Sequence, residues 1–403
     1  MKIHILPIVT LFLATVATAC HAERKDAQQA TQDTVVVAEP QEYHLSLLIA
    51  GDLMQHGPQI KAAFEQGQRQ ARLDATEREQ TRPEVKAALQ SDGTYNYDEC
   101  FARVKSEIER ADVAIGNFEV TLGGKPYTGY PQFRAPDEYL QACIDAGFDI
   151  LLTANNHCLD SRRKGLERTI MMMDSLGVPH LGTYINKEER DKSYPFLLEK
   201  NGMRIVLLNF TYGTNGIALE APNVVNLIDT VEIRADIEKA KAMEPDVIIA
   251  LPHWGIEYQQ LPSQQQRELA QWLFDNGVDH VIGGHPHVAQ PVELNEDSTH
   301  LVAWSLGNVI SNQSKPNTYG GYMVRLEFTK NPERAFLSDC GYMLYWVSRP
   351  PDNGNKHNYR ILPIDEPDSV LTGMEQKNRY AIRSSMRRLM ERHAKGVSEY
   401  TIE

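Results

Sequence analysis

Short apolar runs alternate along the chain with stretches of helical periodicity, and many of the runs end at a glycine-containing loop. Ser263, for example, is expected to cap a helix that ends at Asn276-Gly277, and a similar pattern covers residues 136–147. This alternation predicts an α/β fold with a largely parallel, helix-covered sheet. The runs predicted as buried strands are residues 44–50, 113–115, 150–153, 204–210, 247–251, 278–282 and 301–304.

Two segments depart from this alternation. Residues 59–92 are rich in Gln, Arg, Glu and Ala, which predicts a helical, solvent-facing insertion. After residue 327 the pattern weakens, and the prolines and glycine of residues 349–354 are typical of a loop. We therefore expect residues 331–403 to be a C-terminal extension, in which residues 372–394 form a charged, peripheral helix.

The amino-terminal end is typical of a secretory signal. Its apolar run, residues 5–14, is shorter than the roughly 20 residues of a membrane-spanning helix. Small residues lead into Cys20, so residues 1–20 resemble a bacterial lipoprotein signal in which this cysteine is lipid-modified; ordinary cleavage near Ala19 or a short uncleaved anchor are the alternatives. Residues 21–42 are predicted as a polar tether. On this interpretation the protein is exported to the bacterial cell envelope and anchored to a membrane through a lipid on Cys20.

Composition and charge narrow the classes of function. A hydrophobic content of 42% can fill a large core, and no later apolar stretch is long enough to span a membrane. The net charge of −13 argues against nucleic acid as a partner, and a polyanionic substrate would need metal ions or a local basic cluster. Cys100, Cys143, Cys158 and Cys340 lack CxxC spacing, so both a disulfide and free buried thiols fit the sequence, and Cys158 is expected to pack rather than bind metal.

Acidic residues, asparagine and histidine stand at the ends of several predicted strands. A single Asp, Glu or His in such a place is usually structural, but together they predict one divalent-metal centre of carboxylates, imidazoles and an amide oxygen. Gly283-Gly284 allows close backbone approach, so that both histidines of the following loop can reach one site. The candidate ligands are Asp52, Glu119, Asn156, His253, His285 and His287.

The histidine that follows Asn156 is a candidate for proton transfer rather than for metal binding. His157 need not bind the metal itself, because Asn156 can supply an amide oxygen. Asp160 either orients His157 through a hydrogen bond or caps the following helix. We therefore count His157 and Asp160 as candidate catalytic residues.

Six motifs follow one another along the chain. They are GDxM, GNxE, ANNHxxD, HWG, GHPH and SLGN, at residues 51–54, 116–119, 154–160, 253–255, 284–287 and 305–308. In this order they resemble the motifs of the CapA family, named for poly-γ-glutamate capsule synthesis, within the calcineurin-like metallophosphatase superfamily. The resemblance covers about residues 45–328, and the domain is placed at 43–330. It implies a metallophosphatase-like four-layer sandwich of two mixed sheets flanked by helices, with a two-metal centre at the loop ends.

The resemblance also implies a role for each ligand. Glu119 would bridge two metals; Asp52 and His287 would complete one of them, and Asn156, His253 and His285 the other. His157 would protonate the leaving group, and a metal-bound hydroxide would be the nucleophile. Met54 stands where the superfamily has His, and Glu119 where many relatives have Asp, so the centre is expected to hold one or two ions. The ligand types fit Mn, Fe, Zn or Co alike.

Two residues are candidates for contacting substrate. Arg134 lies in the loop of residues 127–136, where its planar guanidinium is suited to a carboxylate or phosphate, with a surface arginine as the alternative. Asn117 belongs to the same motif as Glu119.

The resemblance implies a hydrolase of cell-envelope or capsule polymer metabolism. Its substrate would be an anionic polymer similar to poly-γ-glutamate, and capsule synthesis or export proteins are possible partners. One alternative is a metal-dependent phosphomonoesterase or phosphodiesterase acting on a phosphoester. The other is a non-catalytic scaffold for polymer binding or export, braced by the metal.

Overall fold

A computed structural model of the chain describes residues 41–79 and 94–402. The predicted signal, Cys20, nearly all of the tether and the end of the predicted insertion lie outside these residues. The helices are α1 (Gly57–Glu79), α2 (Asp98–Phe101), α3 (Lys105–Arg110), α4 (Asp137–Asp145), α5 (Arg162–Ser175), α6 (Lys187–Ser193), α7 (Thr230–Ala242), α8 (Gln264–Asp275) and α9 (Gly373–His393). The strands are β1 (Tyr43–Leu53), β2 (Val113–Phe118), β3 (Ile150–Leu152), β4 (His180–Leu181), β5 (Thr183–Tyr184), β6 (Phe196–Lys200), β7 (Met203–Thr211), β8 (Val224–Val225), β9 (Val247–His253), β10 (His280–Ile282), β11 (Val292–Leu294), β12 (Leu301–Ala303), β13 (Asn308–Ile310), β14 (Gly320–Lys330), β15 (Ala335–Ser348), β16 (Arg360–Pro363) and β17 (Ser398–Glu399).

The strands form two mixed sheets and a separate two-stranded sheet of β5 and β8. The large sheet has the order β16-β15-β14-β1-β2-β3-β4, with β13 beside β1 and β17 beside β15. The second sheet has the order β11-β12-β10-β9-β7-β6. In the first sheet β1, β2, β3 and β4 are successive parallel neighbours, and β13 and β17 pair in parallel with β1 and β15. In the second sheet β12, β10, β9 and β7 are parallel, whereas β14, β15 and β16 of the first sheet and β11 and β6 of the second pair in antiparallel fashion. The predicted α/β class with two mixed sheets is confirmed, and antiparallel strands flank the parallel part of each sheet.

Alternation along β1 explains how the sheets stack. Leu47 and Ile49 join a core cluster that also contains residues of the second sheet, such as Leu207. Leu48 and Ala50, which point the opposite way along the strand, join a second cluster with residues of α3 and α4. Each face of β1 is therefore covered, by a sheet on one side and by helices on the other.

Capping residues set the ends of the helices that the sequence predicts. The Ser263 side chain accepts a hydrogen bond from Gln266 N, and the Gln266 side chain completes the capping box of α8. Gly277 ends that helix at φ +95°, a backbone conformation that favours glycine. Thr372 and Glu375 form the same capping box at the start of α9.

The carboxyl-terminal segment differs from the expected extension. β15 pairs with β14 over most of its length, β16 continues the sheet, and α9 buries Met386 and Met390 in the main core. Residues 331–402 are therefore part of the large sheet and its covering, because the apolar half of β15 is buried on both faces. Helix α1 also differs from a fully solvent-facing insertion, since Ile60 and Ala63 are buried.

The cysteines of the described residues are free. Cys100, Cys143 and Cys158 are buried, and Cys340 is partly buried. Cys158 packs in a small apolar cluster with residues of α5, which agrees with the packing role expected for it. Within the same part of the chain, no helix is both long and apolar enough to cross a membrane.

Candidate metal centre

The candidate oxygen ligands all come from the large sheet. Asp52 lies in β1, Glu119 directly follows β2, and Asn156 lies in the loop after β3. These strands are parallel neighbours, so their carboxyl ends meet at one edge of the sheet. Gly51 allows this edge to close, because a Cβ atom there would lie 2.0 Å from the carbonyl oxygen of Gly307.

The candidate imidazoles all come from the second sheet. His253 is the last residue of β9, and His285 and His287 lie in the loop after β10. The latter two residues have φ angles of +95° and +57°, which are uncommon outside glycine and are often kept at functional sites. The two sheets thus present oxygen and nitrogen ligands to one buried space.

Asp52 and His287 are in direct contact across the sheets. The Asp52 Oδ2 atom lies 3.1 Å from Nδ1 of His287, and its Oδ1 atom accepts a hydrogen bond of 2.8 Å from Nδ2 of Asn117. Asn117 Nδ2 is also 3.4 Å from Oε2 of Glu119. Asn117 therefore lies among the candidate ligands and holds both carboxylates.

Glu119 is at the centre of the cluster. Its Oε1 atom lies 3.5 Å from Nε2 of His253 and 3.8 Å from Nε2 of His287. Nε2 of His253 is also 2.8 Å from Oδ1 of Asn156. Two groups with ligand atoms within 4.8 Å of one another both contain this carboxylate, namely Glu119, His285 and His287, and Asp52, Glu119 and His253.

The buried polar atoms of this cluster fit a divalent cation. Oε1 of Glu119 and Nδ1 of His285 are buried without a hydrogen-bond partner among the described residues. Such atoms are costly unless a partner satisfies them, and carboxylate with imidazole is a common ligand set of divalent transition metals. The residues present therefore fit the metal that the sequence predicts.

Electrostatics within the cluster agree with this fit. Burial raises the pKa of Asp52, but the hydrogen bond and charge of His287 lower it by more, so the carboxyl pKa is below its usual value. Burial lowers the pKa of His287, while Glu119 and Asp52 raise it by more, to about 9. Burial and the neighbouring imidazoles hold the pKa of His285 well below its usual value. Asp52 is thus ionised and His285 neutral, the forms in which both bind metal, whereas His287 would have to release a proton to bind.

His157 and Asp160 form a buried pair beside the cluster. Nδ1 of His157 lies 2.8 Å from Oδ2 of Asp160, which also accepts a hydrogen bond of 2.6 Å from the backbone N–H of Phe133. The Phe133 ring packs against the His157 ring with centroids 4.6 Å apart. The N-cap position of α5 is Ser161, so of the two roles weighed for Asp160 the structure shows the contact with His157.

Arg134, the candidate substrate-binding arginine, contacts Ser161 and Pro126. Nε of Arg134 donates a hydrogen bond of 3.0 Å to Oγ of Ser161, and Nη1 lies 3.5 Å from the carbonyl oxygen of Pro126. Among the described residues no contact of Arg134 with a candidate ligand is found. The side chain connects two loops.

Met54 and His56 follow Asp52 but lie outside both ligand groups. Met54 is buried in the core cluster that contains α3 and α4. Nδ1 of His56 lies 3.1 Å from Oε1 of Gln59 and 3.3 Å from the backbone N–H of Asn312. Burial lowers the pKa of His56 to about 4. Both side chains therefore have packing contacts of their own.

Three residues that sequence reasoning did not single out support the centre. Oδ1 of Asn308 lies 3.0 Å from Nδ1 of His287, and Nδ2 of Asn155 donates 3.2 Å to Oδ1 of Asn117. Tyr212 places its ring 4.5 Å from that of His285. Two of the motifs contain the asparagines and could have indicated them, whereas Tyr212 follows β7 without any motif.

Comparison with known proteins decides the family. Residues 46–313, more than half of the chain, match the family described as "Bacterial capsule synthesis protein PGA_cap". The chain belongs to this family. A similar relative is "Capsule biosynthesis protein CapA" of Bacillus anthracis, 29% identical over 250 residues that cover 59% of this chain and 59% of the relative. Another is "PGA biosynthesis protein CapA" of Bacillus subtilis, 27% identical over 59% of this chain and 63% of the relative.

Solved structures with a similar course of the chain have low sequence identity. The calcineurin-like phosphoesterase YfkN of Bacillus subtilis aligns over 87% of this chain and 99% of its own, with 15% identity and a TM-score of 0.39. The NAD nucleotidase of Haemophilus influenzae aligns over 90% of this chain and 58% of its own, with 12% identity and a TM-score of 0.41.

Proposed function

We propose that the protein is a metal-dependent hydrolase of cell-envelope polymer metabolism, exported and lipid-anchored through Cys20, with a poly-γ-glutamate-like substrate. The observation that carries this proposal is a pair of candidate ligand groups sharing the buried Glu119, beside the buried His157–Asp160 pair. Family membership and the printed names of the two relatives support the polymer. The names of the same relatives and the signal-like start of the sequence support the envelope location.

Glu119 is proposed as the ligand shared by two divalent ions, of Mn, Fe, Zn or Co. Its place in both geometrical groups supports the sharing. Asp52 and His287 would hold one ion with it, and Asn156, His253 and His285 the other. When bound, such ions polarise the scissile group and acidify water for attack.

The chain's own residues would position the metal ligands and protonate the leaving group. Asp160 fixes Nδ1 of His157, so that Nε2 of the protonated imidazole would give its proton to the leaving group. Phe133 holds this pair through its backbone N–H and its ring. Asn117 fixes both carboxylates, so the ligand oxygens have little freedom to rotate.

The test uses the full chain and two measurements. Elemental analysis of protein purified without added metal gives the identity and number of ions. Cleavage of γ-glutamyl oligomers is then compared between the wild type, His157→Gln and the control His393→Gln at the end of α9. Loss of the proton donor is expected to lower kcat by about 10² to 10⁴ with unchanged metal content.

Each other outcome has a defined meaning. Turnover of aryl phosphates without γ-glutamyl cleavage would replace the polymer hydrolase with a phosphoesterase. A fully metallated protein that cleaves neither compound, and binds polymer equally well with His157→Gln, would be a metal-braced scaffold.

The lipid anchor has its own test. Cys20→Ser is expected to move the protein from the membrane fraction to the soluble exported fraction and to abolish labelling by a radioactive fatty acid. The lipid anchor would be contradicted if Cys20→Ser stayed in the membrane fraction and the wild type incorporated no labelled fatty acid.

A further inference from the structure

Two exposed tyrosines flank the candidate metal centre, and each is fixed to one of its ligand loops. The backbone N–H of Tyr212 donates 3.0 Å to the carbonyl oxygen of His253, and 46% of the residue is exposed. The backbone N–H of Tyr258 donates 2.8 Å to the carbonyl oxygen of Pro286, and 38% of the residue is exposed. Their rings lie beside imidazoles in tilted arrangements, with centroids 4.5 Å apart for Tyr212 and His285 and 6.3 Å apart for Tyr258 and His287.

Tyr258 is held in an unfavourable backbone conformation. Its φ angle is +68°, which is rare for a bulky side chain. Strain of this kind persists only where the surroundings impose it, and it concentrates at functional sites. Here the imposed contact is the hydrogen bond to Pro286, between the two candidate histidine ligands. The orientation of Tyr258 is thus tied to the geometry of the centre.

An exposed lysine lies over Tyr258. Nζ of Lys315 is 6.0 Å from the centre of the Tyr258 ring. Among the described residues no carboxylate lies within 4.0 Å of this ammonium group. Glu257 is the acidic neighbour of Tyr258 and adds to the burial that raises the phenol's pKa. We call the exposed side of the centre, formed by Tyr212, Tyr258 and Lys315, the mouth. The lysine therefore offers a positive charge at the mouth that no described acidic side chain neutralises by direct contact.

The loop of Lys315 is fixed to the centre through Asn308. Oγ1 of Thr318 donates 2.7 Å to the Lys315 carbonyl oxygen. Nδ2 of Asn308 in turn donates 3.1 Å to the Thr318 carbonyl oxygen and 3.0 Å to Oε1 of Gln313. Since Asn308 also contacts His287, the same amide positions a candidate metal ligand and the loop that carries the lysine.

We propose that Lys315, placed over Tyr258, binds a free carboxylate of the substrate beside the bond presented to the metal centre. The inference rests on the proposed function and names the substrate class of that site, an oligomer whose units each carry a carboxylate. γ-Linked glutamate meets this requirement, because every unit keeps its α-carboxylate. An ammonium group with three donors suits such a carboxylate.

Binding of a fluorescent γ-glutamyl oligomer to the metal-loaded full chain tests the proposal without any need for turnover. Lys315→Met is expected to weaken binding about tenfold, and Lys315→Arg to restore most of it. Lys377→Met, which removes an exposed lysine of α9, is the matched control and is expected to bind as the wild type does. An oligomer with its carboxylates converted to neutral amides is expected to bind weakly and equally to wild type and Lys315→Met.

The outcomes separate this inference from the proposed function. Lys315-dependent binding without cleavage by the wild type would refute the hydrolase and keep the carboxylate subsite. Cleavage with equal affinity of wild type and Lys315→Met would refute the subsite and keep the hydrolase. Unchanged metal content in Lys315→Met shows that a loss of binding does not come from a disrupted centre, and a loss of metal would overturn the assignment to substrate.

Discussion

The interior of the candidate centre and its mouth are built in different ways. Asp52 and Glu119 are fully buried, and their oxygens contact side chains from the other sheet. Tyr212 and Tyr258 at the mouth are more than one third exposed and are fixed through their backbone N–H groups. A substitution in the interior also disturbs the packing of both sheets, whereas a side chain at the mouth can be replaced without disturbing that packing. Metal binding is therefore coupled to the fold more tightly than substrate choice is.

The largest effect is expected at the interior carboxylate shared by both ligand groups. Glu119→Gln removes a charged ligand from each group, so metal content should fall and activity should drop by more than the 10- to 100-fold typical of a ligand's supporting partner. Elemental analysis and γ-glutamyl cleavage measure the two effects. Glu268→Gln, at an exposed carboxylate of α8, is the control. Full metal content in Glu119→Gln would break the distinction between interior and mouth.

An interior residue that holds a ligand should have a smaller effect. Asn308→Ala removes the contact with Nδ1 of His287 and the hydrogen bonds to the following loop. Metal affinity should fall about 10- to 100-fold, measured by competition with a chelator. Asn378→Ala on α9 should leave it unchanged. An unaltered affinity in Asn308→Ala would mean that the Asp52 contact alone orients His287.

Removal of metal should affect the whole fold by a moderate amount. A ligand at 100 times its Kd stabilises the native state by about 2.7 kcal/mol, so a chelator should lower Tm by several degrees. Differential scanning calorimetry with and without added Mn²⁺ measures this shift. Lys315→Met should show the same shift, since it belongs to the mouth. A wild-type Tm that does not respond to the chelator would argue against a metal shared by the sheets.

The smallest effect is expected at the mouth. Tyr212→Leu keeps an apolar side chain over His285 but loses the aromatic ring and the phenol, so KM should rise a few-fold with little change in kcat and none in metal content. Steady-state kinetics and elemental analysis check this. Tyr380→Leu, at an exposed tyrosine of α9, is the control. Loss of metal in Tyr212→Leu would place this residue with the interior.

The interior could be predicted from sequence because its residues follow apolar runs that form neighbouring parallel strands. Asp52, Glu119 and His253 each end such a run, and the sheet geometry brings strand ends together. The mouth could not be predicted in this way, because Tyr212, Tyr258 and Lys315 lie in loops whose course depends on long-range contacts. For Arg134 the residue type alone suggested a substrate contact, and only the structure shows its hydrogen bond to Ser161.

The carboxyl-terminal segment was harder to predict for another physical reason. Residues 343–348 of β15 are buried on both faces, so the alternation that marks a half-exposed strand is absent. The loop after the strand, with Pro350 and Pro351, then suggests an irregular tail. A charged, peripheral helix was predicted over residues 372–394, but the burial of Met386 and Met390 depends on the sheet below it.

The division of ligands between the sheets fixes when the centre can form. The oxygen donors Asp52, Glu119 and Asn156 precede the imidazoles of His253, His285 and His287 in the chain. Of the six candidate ligands, an emerging chain therefore offers only the oxygen donors until residue 253 has left the ribosome, and the full set exists only after residue 287. A chain truncated before β10 would retain the donors preferred by Mg²⁺ or Ca²⁺ and lack most of those that favour a transition metal. Acquisition of the full set of proposed ions thus requires the loop after β10, whereas β11 and β12 of the second sheet follow that loop in the chain.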